Sequence, residues 1–156
     1  MIKIISHSVN ETIGVGKSLA LHLAPGSVVC LSGALGSGKT VVTKGIAQGL
    51  GVSGDVIISP TFVLMRQYEA RLPLYHLDLY RLGSLCQIAE LGFEEFIFAD
   101  GVAVIEWAER LNAMAPEEFL KIALFVTSKE RRRLEISAVG ERYRGVLKDI
   151  YENHKH

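Results

Sequence analysis

The stretch GALGSGKT, Gly33 to Thr40, lies between the apolar run VVCL and the segment VVTKGIAQGL. Gly33, Gly38, Lys39 and Thr40 meet the pattern G-x-x-x-x-G-K-[ST], with a further glycine at Gly36. Glycines let successive backbone N–H groups turn inward around an anion, and the helix that follows presents its positive end at the same point. Lys39 supplies an ammonium for the outer phosphates, and the Thr40 hydroxyl is suited to magnesium. The expected phosphate site therefore comprises Gly33, Leu35, Gly36, Ser37, Gly38, Lys39, Thr40 and Val41. Neither VTKG nor TSKER supplies the N-K-x-D motif of guanine-specific proteins, so an adenine nucleotide, ATP or ADP, is favoured. LSGA at 31–34 is the start of the loop itself and not an LSGGQ-like signature, which argues against a transporter-type ATPase.

On either side the chain reads as alternating strands and helices. Ile2 to Ile5 is a short apolar run, and Ser8 with Glu11 forms a capping box that opens a helix to about Leu23, stopped by Ala24-Pro25-Gly26. Ser27 to Ser32 is a buried strand, and a helix is expected from about Lys39 to Leu50, ended by Gly51. Val56 to Ile58 reads as another buried strand, broken by Ser59-Pro60. Phe62 to Glu69 and Leu74 to Arg81 form a hairpin around Ala70-Arg71, then Ser84 to Leu91 and Glu94 to Ala99 are short helices separated by Gly92. Val102 to Glu106 is a second fully apolar strand ending in an acid. A closing hairpin, Phe119 to Thr127 with Arg132 to Ala138, and an amphipathic helix from Glu141 to Asn153 complete the reading. The predicted class is α/β, P-loop NTPase-like: a mainly parallel central sheet, helices on both faces, and antiparallel edge strands. Ligands in such sheets sit beyond the carboxyl ends of the strands, where the Gly33–Thr40 loop lies.

Magnesium on a bound nucleotide calls for a carboxylate at the end of a core strand. Glu106 ends the apolar run within GVAVIEW, and Asp78 lies within the alternating segment YHLDLYR, where period two places His76 on the same face. Asp78 could instead pair with Arg81, and His76 could be a hydrogen-bonded core histidine. Glu106 is harder to explain without a positive partner, because a carboxylate at the end of an apolar run is costly to bury. Trp107 beside it is suited either to stacking on a base or partner or to packing. Ser59-Pro60-Thr61-Phe62 follows the post-loop strand, where P-loop switches sense the γ-phosphate, and Thr61 is the group aimed there.

The bulk numbers agree with one domain spanning 1–156: the chain has 156 residues, 49% of them hydrophobic. Formal net charge is +0, which removes the simplest argument for a nucleic-acid binder. The charge is segregated, acidic between 85 and 120 and basic from Lys129 to Lys148. Cys30 and Cys86 lack any ligand spacing and read as core thiols in a reducing compartment. Without a signal-peptide core or a run long enough to span a bilayer, a soluble cytoplasmic protein is expected.

Taken together, GALGSGKT, SPTF, LYHLDLYR, LGFEE and VIEWAER occur in the order and spacing of the bacterial TsaE (YjeE-like) family, and nearly the whole chain resembles it. The resemblance implies a small ATPase acting with TsaB and TsaD to make threonylcarbamoyladenosine in tRNA. It also implies that Lys39 and Thr40 hold phosphate and magnesium, that Thr61 belongs to a switch-like loop, and that Asp78 and Glu106 are the acids. Two departures stand out. The family pattern G-D-L-G-A-G-K-T has an acid where this chain has Ala34. An arginine opening the penultimate strand comes close to the nucleotide in the family, and Arg131-Arg132-Arg133 leaves its register open, with Arg132 chosen here.

The function expected is slow, partner-stimulated hydrolysis of ATP with Mg2+, catalysed through Lys39, Asp78 and Glu106. Contact with tRNA is expected through the partners, a direct one resting only on the basic C-terminal part. A P-loop small-molecule kinase, with Asp78 as base, and a non-hydrolysing nucleotide sensor are the alternatives.

Overall fold

A computed structural model of the chain describes residues 1–57, 65–97 and 100–154. In chain order the elements are β1 (Ile2–Ser6), α1 (Val9–Ala20), β2 (Val28–Gly33), α2 (Lys39–Gly49), β3 (Met65–Tyr68), β4 (Leu74–Asp78), α3 (Leu85–Glu90), α4 (Glu94–Ile97), β5 (Val102–Glu106), β6 (Phe119–Val126), β7 (Arg132–Val139) and α5 (Arg144–Asn153). Short 3-10 turns occupy Gly54–Val56, Ala108–Met114 and Glu141–Tyr143. Among the described residues the strands form a 7-stranded sheet in the order β1-β7-β6-β2-β5-β4-β3. β2 pairs in parallel with β5 and β6, and β5 with β4. The flanking pairs β1–β7, β6–β7 and β3–β4 are antiparallel.

Strand alternation divides the core into two layers. Val29 and Leu31 of β2 with Val102 and Val104 of β5 face α1, α2 and α5, whose Leu19, Ile46 and Ile150 are buried with them. Val28, Cys30, Ala103 and Ile105 face the other side, against Ile88 of α3 and Phe93 and Ile97 around α4. Each buried Val, Leu, Ile or Phe among them contributes about 1.5–3 kcal/mol, and the continuity of these side chains along β2 and β5 fixes the two strands that carry the site.

α1 opens as its sequence requires. The Ser8 hydroxyl accepts the Glu11 N–H at 3.1 Å, while the Glu11 carboxylate reaches back to the His7 N–H at 2.7 Å. The helix stops at Ala20, short of Leu23, because the chain tightens there: Leu21, His22 and Leu23 donate to the carbonyls three residues back. Gly16 of α1 meets Gly45 of α2 so closely that a Cβ on Gly45 would stand 2.2 Å from the Ile13 carbonyl oxygen. α1 thereby sets where α2 lies, and with it the loop at the head of α2.

Three local readings are corrected. Val56 belongs to the 3-10 turn Gly54–Val56 and is exposed, so the run 56–58 is not a strand through its described part; Ile57 alone turns inward. β4 ends at Asp78 and not at Arg81, because the Asp78 carboxylate accepts the Tyr80 N–H at 2.9 Å and bends the chain out of the ladder. Cys86 is exposed on α3, whereas Cys30 is a core thiol. Ile58, the SPTF segment with Thr61, and the expected helix end at 98–99 lie outside the described residues. Among the described residues no helix is long and apolar enough to cross a membrane.

Candidate nucleotide-binding site

β2 delivers the chain at Gly33, and α2 begins at Lys39 after Gly38, which takes the left-handed conformation at φ +107°. Among the described residues no side chain caps the first turn of α2, so its N–H groups and the positive end of the helix dipole face the loop. Gly33 also has no room for a side chain, since a Cβ there would stand 2.5 Å from Ser37 Oγ and 2.8 Å from the Leu124 carbonyl oxygen. The Lys39 ammonium curls back under this loop and donates to the carbonyls of Gly33 at 2.6 Å and Ala34 at 3.0 Å. Ala34 is exposed, and its contribution to this contact is its carbonyl, which any residue would provide.

Trp107 closes over Lys39, with the ammonium 4.2 Å from the indole centroid. The tryptophan takes the left-handed conformation, φ 58° and ψ 39°, which costs a residue with a side chain about 1–2 kcal/mol. Tyr80 lies 5.0 Å from its ring, and the Arg110 guanidinium 5.5 Å from it. Lys39 is buried. Burial pulls its ammonium below the ordinary lysine value, and the negative charges of Glu106, Glu109 and Asp78 pull it back.

The two acids meet at the carboxyl ends of adjacent strands. Asp78 of β4 is in register with Glu106 of β5, and Glu106 with Leu31 of β2. Both carboxylates are buried. The Thr40 hydroxyl donates to Glu106, 2.9 Å from Oε1 and 3.2 Å from Oε2. His76 Nε2 bonds the same carboxylate at Oε2. A hydroxyl that gives its proton to Glu106 keeps its lone pairs for a cation. Among the described residues no cluster of three or more His, Cys, Asp or Glu is placed to hold a metal by itself. Few protein oxygens, with nucleotide oxygens and water expected to complete the shell, suit magnesium, so the donor set fits it.

The loop separates two cavities. One, of about 270 Å³, is lined by Leu35, Lys39, Thr40, Asp78, Glu106 and Trp107 among others. The other, of about 390 Å³, lies between the start of α1 and the β6–β7 turn and includes Ser8, Asn10, Lys129 and Arg132. Gly36, Gly38 and Val41 line both.

Of the three consecutive arginines, Arg132 is the one at the loop. Its Nε donates to the Ser37 carbonyl at 3.1 Å and its Nη2 to the Gly36 carbonyl at 3.4 Å. Nη1 holds the carbonyls of Ser128, Lys129 and Arg131. Arg133 points to the opposite sheet face, against Glu135 at 3.2 Å and Phe125.

The structure thus gathers Gly33, Leu35, Gly36, Ser37, Gly38, Lys39, Thr40, Val41, Asp78, Glu106 and Arg132 around one loop. Trp107 rests on Lys39, which was not among the roles its sequence position suggested. Ser8 and Asn10 were missed as cavity residues, because the capping pattern explains them fully. Tyr80 and Arg110 were missed because their common neighbour is an aromatic ring.

Residues 6–134 match the family model described as threonylcarbamoyl adenosine biosynthesis protein TsaE. The tRNA threonylcarbamoyladenosine biosynthesis protein TsaE of Treponema pallidum is 41% identical over 136 residues, 87% of this chain and 100% of the relative. The protein of the same name from Bacillus subtilis is 37% identical over 141 residues, 90% of this chain and 87% of its own. A crystal structure of Bacillus subtilis YdiB superposes with a TM-score of 0.85 at 32% identity, covering 97% of this chain and 95% of that one.

Proposed function

The chain belongs to the TsaE family, and from that premise we propose that it binds ATP with Mg2+ at the Gly33–Thr40 loop and hydrolyses it to operate a TsaB–TsaD complex that makes threonylcarbamoyladenosine in tRNA. The observation that carries the reading is the alignment of Lys39, Thr40 and Glu106 at one mouth of the sheet, linked by the Thr40–Glu106 bond at 2.9 Å.

The phosphate chain would lie along the N–H groups of the loop. Lys39 would exchange the Gly33 and Ala34 carbonyls for phosphate oxygens, beneath an indole that keeps water from it. The cavity holding Asp78 and Glu106 would take the terminal phosphate, and the cavity beside Ser8, Asn10 and Lys129 the nucleoside. Bound magnesium would neutralise charge on the outer phosphates, held at Thr40 with Glu106 and Asp78 beside it. Either carboxylate would orient the attacking water, and the Thr61 loop would respond to the loss of the γ-phosphate. The Arg132 guanidinium is committed to backbone carbonyls, so the isolated chain should turn over slowly and gain rate when a partner completes the site.

Labelled ATP tests this against transfer to a metabolite. Free phosphate that rises when TsaB and TsaD are added supports hydrolysis; label on a small-molecule acceptor supports a kinase and overturns it.

A further inference from the structure

We propose that His76 is a positioning residue for Glu106, holding that carboxylate toward Thr40 so that the metal side of the loop is built before nucleotide arrives. The inference rests on the magnesium-nucleotide reading above and names a residue that this reading does not use.

His76 is fully buried in β4, opposite Val104 and two residues before Asp78. Its Nε2 bonds Glu106 Oε2, while Thr40 Oγ1 donates to the same carboxylate from α2. A carboxylate accepts, so the imidazole proton facing it is on Nε2. Glu106 is therefore gripped from two elements, the sheet floor and the head of α2, and its flexible side chain is reduced to one placement. The other ring nitrogen tells the same story by what it lacks. Among the described residues Nδ1 is buried with no hydrogen-bond partner, and a buried polar atom left so carries a desolvation cost. A histidine kept only for packing gains nothing from that cost, and an aliphatic side chain would avoid it. The contact that this histidine makes and an aliphatic residue would not is the one to Glu106.

Sequence proximity does not bring the pair together, since they stand 30 residues apart. The parallel register of β4 and β5 does. Groups that hydrogen-bond a metal-side carboxylate control its orientation and basicity, and their loss typically weakens metal binding while leaving other ligand contacts in place.

The test is calorimetric titration of the full chain with ADP, across a Mg2+ series and in EDTA, with circular dichroism to monitor folding. His76→Phe fills the space without a donor; His76→Asn is polar but too short to reach Glu106. His76→Gln places an amide N–H near the position of Nε2. The Phe and Asn variants should need about 10- to 100-fold more Mg2+ for half of its effect on ADP binding, with affinity in EDTA kept within about twofold, and Gln should recover most of the loss. A Phe or Asn variant with the wild-type Mg2+ requirement overturns the proposal. So does a Gln variant that falls as far as Phe, because packing alone would then be at stake. If the wild-type chain takes up ADP without any Mg2+ dependence, the magnesium-nucleotide reading itself fails and this inference with it.

Discussion

Asp78 and Glu106 stand opposite each other in the parallel β4–β5 pair, yet their carboxylates have different duties. Glu106 accepts from Thr40 and His76, while Asp78 accepts the backbone N–H of Tyr80 at 2.9 Å. Asp78→Asn can keep that backbone contact through its amide oxygen, and Glu106→Gln can keep the Thr40 contact, so both isosteres should fold. Each removes a negative charge from the cavity that would hold the terminal phosphate. Phosphate release in single-turnover experiments should fall by about 10²-fold in both variants, with ADP still bound. Wild-type turnover in both would remove hydrolysis from the acids' role.

Lys39 is held by two carbonyls and roofed by Trp107, and no aliphatic replacement can offer its charge to a phosphate chain. Hydrogen bonds to charged groups contribute about 1.5–3 kcal/mol, so Lys39→Met should lower ADP affinity by about 10- to 100-fold. Because Trp107 is the only tryptophan and its ring touches Lys39, its emission should change on nucleotide addition in the wild type. Unchanged calorimetric affinity in Lys39→Met would sink the loop as the phosphate site.

The head of α2 is fixed by glycine-to-glycine contact with α1, so stability and site geometry meet at Gly45. Alanine there would press into the Ile13 carbonyl at 2.2 Å and the Gly16 Cα at 2.8 Å, and backbone cannot swing away as a side-chain tip can. Overpacking of this kind costs about 1–3 kcal/mol, so Gly45→Ala should lower Tm in thermal denaturation. Gly14, with nothing among the described residues within 4 Å of an added Cβ, should accept alanine in the same helix pair without that loss. Equal Tm values for the two variants would contradict the contact.

The loop and its strand were legible because a tight strand-to-helix turn constrains residue types locally, with glycines at Gly33 and Gly38 before Lys39 and Thr40 at the head of α2. VAVIE was legible for a similar reason, since an apolar run of that length bounded by glycine and an acid has few other uses. What joined Glu106 to His76, and Trp107 to Lys39, was not legible, because both contacts depend on strand register and on a left-handed backbone at Trp107. Arg132 could be distinguished from Arg131 and Arg133 only once β7 had a face. Val56 misled for the opposite reason: a β-branched residue beside a buried isoleucine imitates a strand, while Gly54 and Asp55 hold it in a turn.

The two cysteines should separate cleanly by reactivity. Cys30 is buried in β2, and burial pushes its thiol from 9.0 up to about 12, with Lys121 opposing only in part. Cys86 is exposed on α3. The thiolate is the reactive form, so an aromatic disulfide reagent at mildly alkaline pH should titrate one thiol in the native chain and both in guanidinium chloride. The same shift sets a pH dependence. Above 9.0 the unfolded chain sheds a proton that folded Cys30 keeps until about 12, so the folded state binds more protons and loses stability as pH rises through that window. Below 9.0 the contribution is fully present. Denaturant midpoints of the wild type should therefore fall relative to those of Cys30→Ala as pH rises above 9.0 toward 12. A constant difference between the two chains, or native-state labelling of Cys30 as fast as of Cys86, would show that β2 does not bury this thiol as described.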